Sequence, residues 1–118
     1  MKKGDAFLIP SGPTNHLCCI LTDKLPGSFR LFVTITSIYP DKHFDDACIL
    51  NVGDHPSILH PSYVAYRHID QRTEQHIENM IAANEYIRRD PFTENILDRI
   101  LKGAQISDEI KPHAAAML

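Results

Sequence analysis

Seven histidines give this 118-residue chain its widest chemical range. An imidazole, with an ordinary pKa of about 6.5, can both take and give a proton near neutrality. Two of them lie in one proline-punctuated loop, Asp54-His55-Pro56 and His60-Pro61, with Ser62, Tyr66 and Arg67 close behind. His55 and His60 there suit an acid–base pair with hydroxyl and guanidinium donors beside it. His43 precedes Asp45 and Asp46 in another loop. Imidazole and carboxylate together also suit a divalent cation. These spacings match no zinc template, however, and no His pair falls at i, i+4 on a helix, so no metal is expected. For each loop histidine the competing reading is an ordinary hydrogen-bonding side chain. Cys18 and Cys19 sit inside an apolar run and Cys48 inside another. They read as reduced, buried thiols without an activating base rather than as nucleophiles. The five glycines are scattered singly, so there is no phosphate-cradling loop and no nucleotide cofactor is expected.

Charge limits the partners. The net charge is −3, with six Lys/Arg against seven acids in residues 1–70 and six against eight in residues 71–118. A general nucleic-acid binder carries a basic excess, so any RNA contact here must come from a local patch. The length fits one domain, 1–118, and the 43% hydrophobic content is enough for a packed core. No apolar run approaches the roughly 18 residues of a membrane span. The opening Met1-Lys2-Lys3 leads into only four apolar residues, 6–9, before Pro10. That is too short for a signal-peptide core, so a cytoplasmic location and no membrane association are expected.

The elements that must position these groups fall into two parts. Residues 6–9 form a short apolar strand closed by Pro10, and residues 11–15 are rich in turn formers. Residues 17–21 read as a strand buried on both faces. Residues 29–38 are β-branched and aromatic and give the firmest strand, and residues 48–52 and 63–69 give two more. Five short strands with Pro/Gly turns predict a small β-barrel over residues 1–70. Beyond Asp70 the period becomes helical. Thr73 caps a helix whose Ile77, Met80, Ile81 and Ile87 share a face, with Arg88-Arg89 in its last turn. Asp90 and Pro91 predict the N-cap and first residue of a second helix, with Phe92, Ile96, Leu97, Ile100 and Leu101 as its stripe and Gly103 as its stop. Ser107-Asp108-Glu109 opens one more turn, and residues 113–118 are expected to fray. The fold class is thus α+β, a small barrel with a helical extension over residues 71–118.

In their order, four segments of residues 4–70 resemble the PemK/MazF family of toxin endoribonucleases. Gly4-Asp5 before an apolar strand looks like the family's opening. Leu17-Cys18-Cys19-Ile20-Leu21 followed by Thr22-Asp23 is similar to its Ala-Val-Val-Leu strand. Val33-Thr34-Ile35-Thr36-Ser37 resembles its strand ending in Thr-Ser, and Arg67-His68-Ile69-Asp70 its Arg-Thr-Ile-Asp segment. The resemblance implies an SH3-like barrel that cuts single-stranded RNA without a metal, as a homodimer whose barrels share a groove, partnered by an antitoxin protein. It implies that the Thr of Thr-Ser, Thr36, and an arginine ahead of the second strand are catalytic. That arginine and its following proline are absent here. The stretch reads Asn15-His16-Leu17, and matching the apolar strands end to end puts His16 at the arginine's place.

Metal-free RNA cleavage needs a base for the 2′-hydroxyl, an acid for the leaving oxygen and cationic donors on the phosphate. His16 suits proton transfer, though its phosphate grip is weaker than a bidentate arginine's. The expected catalytic set is therefore His16, Thr36 and Arg67, with Ser37, His55 and His60 assisting in substrate binding. The alternative is a non-catalytic module on the same barrel that docks a partner protein through its C-terminal helices.

Overall fold

Strands rich in β-branched and aromatic residues build the sheet on which the candidate residues stand. The computed structural model describes residues 1–118. Strands β1 (Ala6–Ser11) and β2 (Thr14–Ile20) form a hairpin. Its loop is the two residues Gly12-Pro13, with Gly12 at φ 60°, the left-handed conformation that glycine supplies at the first central position of a tight hairpin turn. Pairing Ser11 with Thr14 then fixes Ile9 opposite His16. Strand β3 (Phe29–Ser37) lies against β2, and β5 (Ser62–Thr73) against β3. The two-residue β4 (Ile49–Leu50) and three-residue β6 (Ile87–Arg89) occupy the edges. The result is a curled antiparallel half-barrel in the order β4-β5-β3-β2-β1-β6, with helices α1 (Glu74–Ala82), α2 (Glu94–Ile106) and α3 (Pro112–Ala115) beside it.

Because side chains alternate along each strand, the sheet has two different faces. Leu8, Leu17, Val33, Ile35, Val64 and Tyr66 form the larger core with Phe92, Ile96, Ile100 and Ala104, the apolar stripe of α2 and the residue ahead of it. The opposite face carries Phe7, Cys18, Ile20 and Phe32, which pack with Ile77 of α1 and with Tyr86. Phe7 meets Phe32 edge-on at 5.3 Å and stacks on Tyr86 at 5.2 Å. This second cluster reaches only part of the way across the sheet.

Arg30, 5% exposed, ties the α1 end of the sheet together. Its guanidinium donates to the carbonyl oxygens of Thr22 (2.7 Å) and Met1 (2.6 Å) and to the Glu74 carboxylate (2.7 Å). Lys24 meets the other Glu74 oxygen at 3.0 Å. A buried guanidinium is tolerated when its donors are satisfied in this way. Hydrogen bonds from Lys24 and Arg30 hold the Glu74 carboxyl below the usual carboxylate range. A depressed folded-state pKa gives stability that is present above the unfolded value and is lost as pH falls through the folded one. Glu74→Gln should therefore lower Tm near neutrality, and the gap to wild type should narrow on acidification. Thermal melts at about pH 7 and about pH 3 read this directly, and a gap that stays constant would exclude the linkage.

Several boundaries differ from the sequence expectation. Thr73 does cap α1, its Oγ1 accepting the His76 N–H at 3.1 Å. That helix, however, stops at Ala82, where Asn84 takes φ 59°, a left-handed geometry asparagine tolerates. Ile87 and Arg88-Arg89 consequently leave the helix and form a sixth strand, β6, paired with β1. Asp90 and Pro91 do not open α2. Phe92 instead donates its N–H to Gly4 O at 2.8 Å, and Thr93 is the N-cap. Gly103 does not end α2, which runs on to Ile106. Strand β4 is shorter than residues 48–52. Ser107 closes α2 instead of opening a turn, and residues 113–118, expected to fray, include the end of α3 with Ala114 buried.

Gly103 sits mid-helix because the chain behind it is crowded. Tyr66 is fully buried and donates its hydroxyl to Ile100 O at 2.6 Å. A methyl group on Gly103 would come within 2.2 Å of that hydroxyl and 2.9 Å of Cys48 Cβ.

Candidate functional site

Where the α1 cluster ends, the same face of the sheet opens into a groove of about 620 Å³. Strand register explains which residues meet there. Ile9 pairs with His16, Leu17 with Ile35, and Thr36 with Tyr63. Continuing the β2–β3 register by one residue sets His16 abreast of Thr36. The row Ile9–His16–Thr36–Tyr63 thus crosses four strands on one face, with neighbouring Cβ atoms about 5 Å apart as in any such row. Thr34 and Phe32 form the floor.

A bulge completes the wall. Thr34 pairs with Ala65 and Phe32 with Asp70, so β3 places the single residue Val33 where β5 places the four residues 66–69. Extra residues in one strand bend it and re-aim its side chains. Arg67 and His68 stand on this bulge, both exposed, and line the groove together with Ile69 and Asp70. Lys111, just ahead of α3, reaches the same groove.

The chemistry of the lining is specific. Its titratable groups are His16 from β2, then Tyr63, Arg67, His68 and Asp70 from β5, and Lys111. The side chains of His16, Thr36, Arg67 and His68 make no hydrogen bond within the chain; Arg67 and His68 are exposed, and His16 and Thr36 are half-buried. Arg67 and Lys111 form no ion pair, whereas Asp70 is engaged, its Oδ1 accepting from Arg72 Nη1 at 2.6 Å and from Gln71 N–H at 2.8 Å. Two cationic side chains against one engaged carboxylate make the lining locally basic, although the chain's net charge is −3. Cys18 lies behind the floor, its Sγ 3.9 Å from Thr34 Oγ1. Burial pushes its thiol up to about 12, so it stays protonated and inert. Burial likewise raises the Cys19 and Cys48 thiols.

Of the residues named from sequence, the structure brings His16, Thr36 and Arg67 together in this groove. Ser37, at the end of β3, does not line it. His60 lies in its loop away from it. His55 is 3% exposed and packs on Phe92 with ring centroids 4.5 Å apart. Its Nδ1 accepts the Ser57 N–H at 3.0 Å and its Nε2 meets Asp90 O at 2.6 Å. Those partners fix a neutral imidazole with the proton on Nε2, a structural post for the chain entering α2. The competing grouping around His55 and His60 does not assemble, because Tyr66 is in the core and Ser62 donates to His60 O at 2.8 Å.

Asp45, Asp54 and His43 in the loops are also engaged within the chain. Asp45 accepts from Ser107 at 2.5 Å, Asp54 pairs with Arg99 at 3.4 Å, and His43 meets Glu109 at 2.8 Å. No three His, Cys, Asp or Glu side chains gather as a ligand set. His68, Tyr63, Asp70 and Lys111 were not named as site residues from sequence. His68 lay inside a recognised segment, and its signal was present only as an imidazole next to Arg67.

No helix is long and apolar enough to cross a membrane. No protein-family model matches the chain, and neither a curated protein nor a solved structure matches it to a significant degree.

Proposed function

We propose that this chain is a metal-independent endoribonuclease of the PemK/MazF toxin kind, on an SH3-like barrel, cleaving single-stranded RNA. The observation that carries the reading is the convergence of His16, Thr36 and Arg67, drawn from β2, β3 and β5, on one open cationic groove. His16 takes the proton of the 2′-hydroxyl, and the freed oxygen attacks the adjacent phosphorus. Arg67 and the Thr36 hydroxyl donate to the phosphate oxygens as charge builds on them. The P–O5′ bond breaks, leaving a 2′,3′-cyclic phosphate and a 5′-hydroxyl. The helical extension leaves the groove accessible, since α2 packs on the opposite face of the sheet and only Lys111 among residues 94–118 lines the groove. A homodimer and an antitoxin partner belong to the same proposal.

Incubating the protein with a long single-stranded RNA in EDTA tests this reading. Cuts at discrete sites are expected from wild type and not from Arg67→Ala. Intact RNA with the wild-type protein would sink it.

The second reading, a protein-binding module, draws on a different observation. A cavity of about 470 Å³ lies between the sheet and the C-terminal helices, lined by Leu21, Leu25, Leu101, Ile110 and Met117, with Leu118 43% exposed at its rim. The stripe of α2 itself is buried against the sheet, so a partner would meet this cavity and not the helix face. Inactive wild-type protein that still binds a partner through residues 101–118 would favour it.

A further inference from the structure

Resting on the ribonuclease reading, we infer that His68 is the general acid of the same site, delivering the proton to the departing 5′-oxygen. Cleavage by His16 as base leaves a proton to be supplied on the far side of the phosphorus, and the groove limits what can supply it. Arg67 is already assigned to the phosphate oxygens, and Tyr63 stands in the row on the far side of Thr36 from His16. Asp70 is an acceptor already, taking hydrogen bonds from Arg72 and from the Gln71 N–H. An imidazole is the group whose ordinary pKa lies closest to neutrality, and the groove holds two, His16 and His68.

Their placement separates the two roles. His16 is half-buried in the row with Thr36, while His68 is exposed on the bulge. His68 comes from β5 and His16 from β2, so the two imidazoles enter the groove from strands on either side of β3, whose Phe32 and Thr34 form its floor. An in-line displacement needs attacking and leaving oxygens on opposite sides of the phosphorus. A phosphate seated over that floor, held by Arg67 and Thr36, would have one imidazole on each side. The balance closes in one step. The 2′-O–H proton passes to neutral His16, the O2′–P bond forms as P–O5′ breaks, and the His68 imidazolium gives its proton to O5′. The pair then exchanges protons with water and is reset.

The test separates the acid from the rest of the machinery. It uses two RNAs of one sequence, with either the natural 5′-oxygen or a 5′-bridging sulfur at the cleavage site. A thiolate leaves without being protonated. His68→Gln is expected to cut the natural RNA about 10²–10⁴-fold more slowly than wild type, and to cut the sulfur-bridged RNA at nearly the wild-type rate. His16→Gln should be slow on both. Because His68 is exposed and unbonded, an unchanged Tm will accompany its replacement. Undiminished cleavage of natural RNA by His68→Gln, or an equal loss on both substrates, overturns the assignment and leaves the ribonuclease reading standing. Wild-type protein that cuts neither RNA overturns both.

Discussion

His16→Ala is expected to slow RNA cleavage by about 10²–10⁴-fold, the loss that accompanies removal of a positioned general base. The same change should leave Tm within about 2 °C of wild type, since replacing a half-buried side chain that makes no hydrogen bond costs little. Rates measured on a defined oligonucleotide in EDTA, next to a thermal melt, give both numbers from one preparation. The combination matters more than either alone. A fall in rate with an equal fall in stability would make His16 a structural residue, and an unchanged rate would remove it from the mechanism. His16→Arg is the informative companion. An arginine at this position would strengthen the phosphate contact but cannot serve as a base at neutral pH, so activity should not return if proton transfer is the role.

Gly103→Ala should be the most destabilising single methyl added to the chain. The new Cβ would stand 2.2 Å from the Tyr66 hydroxyl and 2.9 Å from Cys48 Cβ. Neither neighbour can give way cheaply. Tyr66 is fully buried and bonded to Ile100 O, and a Cβ moves only with its backbone. Overpacking of this kind, with loss of a buried hydrogen bond, costs about 3 kcal/mol, on the order of 10 °C in Tm for a domain of this size. Alanine is otherwise the better helix former by about 1 kcal/mol, so a helix position without the clash would gain stability. The double variant with Tyr66→Phe should lose less than the sum of the two single changes, because the phenylalanine removes the nearest atom. Strict additivity would show that Tyr66 is not what excludes the methyl.

These two positions also mark what could be read in the sequence. The strands around residues 6–9, 17–21, 29–38 and 63–69 were legible because β-branching and apolar runs are local signals. The cap at Thr73 was legible for the same reason. Gly103 was misread as a helix stop because its cause, a tyrosine 37 positions earlier in the chain, is not local. Ile87 continued the helical period of α1 by coincidence, and its place in β6 is set by pairing with β1. Asp90-Pro91 had the local look of a helix start, yet the bond from Phe92 to Gly4 holds that stretch extended. At the site, His16, Thr36 and Arg67 were legible through the resemblance and by the order of the strands. His68, Asp70 and Lys111 were not. Two of them depend on a bulge that only the β3–β5 register creates, and the third on how residues 107–112 return to the sheet.

The proposed reaction requires the groove to activate a ribose 2′-hydroxyl without a metal. Its most direct measurement compares one RNA oligonucleotide, cut in EDTA, with the same sequence carrying a single 2′-deoxy sugar on the 5′ side of the cleaved bond. Cleavage of the first to a 2′,3′-cyclic phosphate and a 5′-hydroxyl is expected, with no cleavage of the second at that bond. Equal cleavage of both, or an RNA that survives intact, would contradict it.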